Sequence, residues 1–168
     1  MRYDVDPERS QIWIGARSSV HPVNSESRGL SGYVDVTVDG AGQLEPGVVP
    51  TARLELPVDR LSSGNPLYDR EMRRRVDARR FPTISGALHS LRRVGAGRYA
   101  AEGDVTFRGV TRRVADELTV SVPEEGSLVL EGEHVFDVRE FDMEPPRILM
   151  LRVHPEVRVR VRVVAERR

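Results

Sequence analysis

The closing run EVRVRVRVV, residues 156–164, alternates valine and arginine without a slip. Successive side chains of a strand point to opposite faces, so Val157, Val159, Val161 and Val163 form an apolar face. Arg158, Arg160 and Arg162 form a charged one. A helical period would scatter both sets around a cylinder. A strand apolar on one side only belongs to an antiparallel sheet with one wet face.

The same rhythm recurs along the chain. Ile12, Ile14 and Ala16 share a face, with Trp13 on the other. Val34, Val36 and Val38 oppose Tyr33, Asp35 and Thr37 before a turn at DGAGQ. Leu54, Leu56 and Val58 predict a third strand, and Ile84, Gly86 and Leu88 a weaker fourth. Tyr99, Ala101, Gly103, Val105 and Phe107 hold one parity through a fifth. Val110, Val114, Leu118, Val120 and Val122 predict a bent sixth; Leu128, Leu130, His134, Phe136 and Val138 predict a seventh. Gly109, in FRGVTR, is read as a positive φ or a bulge at a tight connection.

Eight one-sided antiparallel strands fit an up-and-down barrel, in which closure removes the exposed edges. A sandwich is the alternative. One segment breaks the rhythm. Asn65 is placed to cap a helix with Pro66 at its first position. Tyr68, Met72 and Val76 then recur at helical spacing, and Asp69–Arg73 and Glu71–Arg75 are spaced for ion pairs. This predicts one helix over about 66–78, lying across the barrel.

Composition narrows the chemistry. A chain of 168 residues is read as one domain, 1–168. Acidic and basic residues balance at 26 each, which argues against a generic nucleic-acid binder. Every basic residue is arginine, and there is no cysteine, so disulfides and thiolate metal sites are ruled out. The four histidines lack ligand spacing, and no G-x-G-x-x-G, P-loop or G-x-S-x-G frame is present, so no metal, cofactor or catalysis is expected. The amino terminus lacks an apolar signal region, and no window is long enough to span a membrane. A soluble, cytoplasmic protein is expected.

Three features stay open between a plain and a functional reading. His134, at inward parity, is either a satisfied interior histidine or a polar handle for a ligand. The cluster Arg70, Arg73, Arg74, Arg75, Arg79 and Arg80 is either a solvated face or an anion site. In FDMEPPRILML, residues 141–151, the apolar side chains Phe141, Met143, Ile148, Leu149, Met150 and Leu151 either plug one barrel end or line its mouth.

Taken together, YDVDPERSQIWI, DREMRRRVDARRFPTI, YAAEGDVTFRGVTRRV, VFDVREFDM and the closing valine strand resemble the YceI-like family over nearly the whole chain. The resemblance implies a lipocalin-like, eight-stranded antiparallel barrel with a helix across it. It also implies a long apolar lumen that carries an isoprenoid-like or other amphiphilic lipid. The expected ligand contacts are Ile14, Val36, Leu56, Phe107, His134, Phe136, Met143, Met150 and Val159. Gly103 and Gly132 are small inward positions that leave room. The rival readings are a side-chain-filled barrel acting as a structural or interaction module and, less favoured, an enzyme at the barrel mouth; the expected partners are the apolar lipid and a homodimer, with no nucleic acid.

Overall fold

The computed structural model describes residues 1–148 and 150–168, apart from the side chain of Ile148. Eleven strand segments form it: β1 (Arg2–Val5), β2 (Gln11–Ser18), β3 (Val23–Ser27), β4 (Ser31–Asp35), β5 (Thr51–Pro57), β6 (Thr83–Gly95), β7 (Arg98–Phe107), β8 (Val110–Ser121), β9 (Ser127–Asp137), β10 (Arg147–Ile148) and β11 (Leu151–Arg167). The helix α1 (Pro66–Val76) follows β5.

These segments make a closed, eight-stranded antiparallel barrel. Eleven segments give eight positions chiefly because β11 is long. Its carboxyl end pairs with β1 and its middle pairs with β2, so β1 and β2 together fill one position. In the same way β4 pairs with β1 and β3 with β2. The expected first strand, around residues 10–17, is thus the longer half of an interrupted one. The expected second strand ends at Asp35, although Val34 and Val36 are both buried.

Registry across the strands stacks the inward residues in layers. One layer holds Ala165, Leu128 and Val5, and the next holds Val163, Leu130 and Val120. Then come Val161 with Ile12, Ser27, Gly132 and Leu118, and Val159 with Ile14, Ser25 and His134. Val157 follows with Ala16, Val23 and Phe136. At the β1–β4 end Tyr3, Val34, Leu128, Val163 and Ala165 are buried, and the buried cluster also takes in Leu56, Val76, Val138 and Met143 toward the helix.

The FRGV joint is a two-residue hairpin. Phe107 pairs with Val110, and Arg108 and Gly109 both have positive φ, 56° and 74°. That combination suits a twisted hairpin and favours glycine at the second position. A Cβ on Gly109 would also lie 2.6 Å from the Phe81 ring. The Arg108 guanidinium donates to the carbonyls of Arg75 and Asp142, tying the hairpin to the helix and to the segment after β9.

The helix starts as its sequence predicts. Asn65 Oδ1 accepts from the backbone N–H groups of Leu67 and Tyr68, and Pro66 opens the first turn. It ends two residues before the expected 78, because Asp77 turns left-handed at φ 57°. Arg75 pairs with Glu71 at 2.8 Å as the spacing predicts. Asp69 instead accepts from the Ser63 backbone and hydroxyl, so the expected Asp69–Arg73 pair does not form.

Candidate functional site: a side-opening apolar cavity

The hollow part of the barrel begins where its ladder comes apart. β7 pairs along its full length with Val110–Thr119 of β8, and β9 and β11 pair from Ser127–Glu166 to Asp137–Glu156. Between β8 and β9 the ladder covers only Leu118–Ser121 with Val129–Gly132. From Glu117 back to Val110, β8 pairs with β7 alone, and from Glu133 onward β9 pairs with β11 alone. The outer edge of β3 likewise has no strand partner among the described residues. Residues Ser62, Ser63 and Tyr68 border the cavity there.

The cavity measures about 490 Å³. Its walls are Ile12, Ile14 and Ala16 of β2, Leu54 and Leu56 of β5, Phe107 of β7, Phe136 of β9, and Val157, Val159 and Val161 of β11. That volume lies within the range of small-molecule sites, and an eight-stranded barrel has room for at most one slender ligand. Met72 and Val76 of α1, with Val138, Phe141 and Met143, close the barrel end opposite β1 and β4.

Polar groups meet the cavity at few places. His134 Nδ1 lies 2.9 Å from Asp116 Oδ2, and this pair spans the gap between β8 and β9. The His134 ring also packs edge-on against Phe136, with centroids 4.6 Å apart. Although both line the cavity, their side chains are 32% and 49% exposed, which marks the gap as a side opening to solvent. Ser25 sits in the same layer as His134, two strands beyond β11, and its buried hydroxyl has no hydrogen-bond partner. An unpaired buried hydroxyl is uncommon and keeps hydrogen-bonding capacity in reserve.

Seven of the nine expected contact residues line this space: Ile14, Leu56, Phe107, His134, Phe136, Met143 and Val159. Two do not. Val36 is buried at 3% in the packed core beyond the cavity, because the chain leaves the strand at Asp35 and folds over the barrel end. Met150 is 92% exposed at the tip of the turn between β10 and β11. Of the 141–151 segment, Phe141, Met143 and Leu151 are buried, Phe141 and Met143 as part of the plug, and the Ile148 side chain is outside the described part. Leu149 lies outside the described residues. His134 has a hydrogen-bonding neighbour, Asp116, and its side chain lines the cavity.

Asp116 and Ser25 were missed as site residues. Asp116 was detectable, since it interrupts the inward series of Val114 and Leu118 with a carboxylate. Ser25 lies in a polar stretch with no alternation to assign its face. The two inward glycines also differ. A Cβ on Gly132 would meet Leu118 Cβ at 3.5 Å, an ordinary contact, whereas on Gly103 it would lie 2.4 Å from the Ala87 carbonyl oxygen. Gly103 therefore permits close strand approach and cannot take a side chain into the lumen.

Residues 3–165 match the YceI-like domain family. The chain belongs to that family. Among solved structures it is similar to BcnA of Burkholderia cenocepacia, at 18% identity and a TM-score of 0.79, covering 96% of this chain and 99% of that one. It is also similar to a polyisoprenoid binding domain from Saccharophagus degradans implicated in plant cell wall breakdown, at 12% identity and TM-score 0.76, covering 99% and 98%. A Campylobacter jejuni YceI protein matches at 11% identity and TM-score 0.68, over 87% and 85%. At these identities the likeness speaks for the fold. No curated protein matches this chain. Among its described residues no helix is long and apolar enough to cross a membrane. Among its described residues, no three histidine or carboxylate side chains gather as a metal site.

Proposed function

We propose that this YceI-like protein binds, without catalysis, one amphiphilic lipid with a slender, isoprenoid-like chain. The chain lies in the hollow half of the barrel against Ile14, Leu56, Phe107, Phe136, Met143 and Val159. Its polar end sits at the gap between β8 and β9, beside His134 and Asp116. The observation that carries the reading is an apolar cavity with the paired His134 and Asp116 side chains at a break in its wall. An amphiphile needs that pairing of a dry bore and a wet opening. The binding activity named for the Saccharophagus degradans relative supports the ligand class. A lumen of about 490 Å³ favours this reading over a side-chain-filled barrel.

The test is direct binding of a fluorescent polyprenyl alcohol to the wild type and to a folded Gly132→Leu variant. Saturable binding by the wild type and its loss in the variant are expected. Equal binding by both would move the ligand out of the lumen, and binding by neither would return the protein to an interaction role.

A further inference from the structure

At the α1 end of the barrel, the two most exposed large apolar side chains among the described residues stand on neighbouring turns. Met150 is 92% exposed and Val20 is 74% exposed. Val20 caps the β2–β3 turn and Met150 the β10–β11 turn. The two turns are held together: Ser18 pairs with Val153, the Ser19 N–H donates to the Arg152 carbonyl at 2.9 Å, and the Arg152 N–H donates to Ser19 Oγ at 3.1 Å. The helix joins them through Tyr68 Oη and His21 Nε2, 3.2 Å apart with the rings stacked. Its first turn adds Leu67, also exposed.

Arginines surround these tips. Arg147 and Arg152 face each other directly across the β10–β11 pair, an arrangement of like charges that weakens pairing. Arg17 lies on β2 beside them, and Arg70, Arg73 and Arg74 are exposed on α1. The ion pairs on α1 and in the segment before β10 join Glu71 to Arg74 and Arg75, and Glu144 to Arg75. Arg17, Arg70, Arg73, Arg147 and Arg152 have no carboxylate within 4.0 Å among the described residues. Five arginines without an ion-pair partner among the described residues thus stand around the most exposed apolar tips.

We propose that this end of the barrel docks on an anionic lipid bilayer. Val20 and Met150, with Leu67, insert among the headgroups, while the arginines bind lipid phosphates. Apolar tips flanked by cations are the pattern of interfacial membrane binding, and the guanidinium matches phosphate geometry in two-point contacts. A protein partner fits less well. The tips are single exposed side chains from three separate elements, whereas a bilayer deforms around projections without a matching groove. Docking does not depend on what fills the lumen, so it stands or falls separately from the ligand proposal.

Sedimentation of the intact protein with phosphatidylcholine vesicles, with and without phosphatidylglycerol, tests it. Binding is expected only with the anionic lipid and should weaken as salt rises. A Val20→Asp, Met150→Asp double variant and an Arg147→Glu, Arg152→Glu double variant should each bind roughly tenfold more weakly or worse. Val49→Asp, an exposed site on the loop at the opposite end, should bind like wild type. All three sets change exposed side chains, and thermal melts confirm folding. Equal binding to both vesicle types, no binding to either, or unchanged binding by both double variants would overturn the proposal.

Discussion

The two halves of this barrel carry the same alternation and enclose different things. Around Ala165 the ring is laddered through β1 and β4, and its inward side chains pack into a buried core. Around Val157 the ring is broken between β8 and β9 and at the outer edge of β3, and the inward side chains of β11 are half-exposed because they face a cavity. The change comes at the Val161 layer, where the β8–β9 ladder stops at Leu118 and Gly132. A continuous ladder holds opposite walls close enough for valine and leucine to meet. Releasing two seams lets the walls spread, and the same side chains no longer reach across.

The largest expected effects fall in the filled half. Leu128→Ala, at a fully buried position, should cost about 2–5 kcal/mol in denaturant melts. Gly103→Leu should be at least as damaging, since its side chain has nowhere to go. Val163→Ala and Val159→Ala make the comparison at constant chemistry. The first should cost about 2 kcal/mol and the second about 1 kcal/mol or less, because Val159 already borders empty space. Equal losses at the two valines would mean that the hollow half is packed in solution.

Filling the cavity is a milder perturbation. Gly132→Leu should cost about 1–3 kcal/mol if its side chain crowds Leu118, while still abolishing polyprenyl alcohol binding. Met72→Ala, on the helical lid, should lose less than the 2–5 kcal/mol of a fully buried methionine, because Met72 is only half-buried against the cavity. A loss as large as that of Leu128→Ala would show Met72 to be fully packed, with no cavity beside it.

The smallest effect concerns acid. A hydrogen bond from His89 holds the Asp104 carboxyl below its ordinary value of 3.8, with the Arg113 charge acting in the same direction against burial. A carboxylate depressed in the folded state stabilises it above the ordinary value, and that contribution is lost as pH falls through the lower folded value. Asp104→Asn should therefore lower the melting temperature slightly at neutral pH. The gap to wild type should close below about pH 4. A gap that persists in strong acid would assign the loss to packing.

Much of the barrel was legible because its signals are local. The parity of Val157–Val163 and Ala101–Phe107, the Asn65 cap and the Arg108–Gly109 turn each follow from a few adjacent residues. The misreadings share another cause. Val36 continues the alternation of Val34 in sequence, but the chain has left the sheet by then. Met150 sits in an apolar run and still turns outward, because a two-residue strand and a hairpin leave the tip of the turn in solvent.

The amino-acid sequence by itself determined which side chains point into the barrel, since a period of two needs no partner to define a face. It also determined where the helix begins and which hairpin demands glycine. The tertiary structure alone decided which inward residues become core and which become cavity wall. That choice depends on how many neighbouring strands keep their hydrogen bonds at each level, and on whether a side chain such as Val163 or Val159 finds an opposite wall within reach. Ladder continuity between β8 and β9 joins residues such as Leu118 and Gly132 across a turn, and its loss beyond that pair is marked in the sequence only by the inward-facing Asp116 and His134.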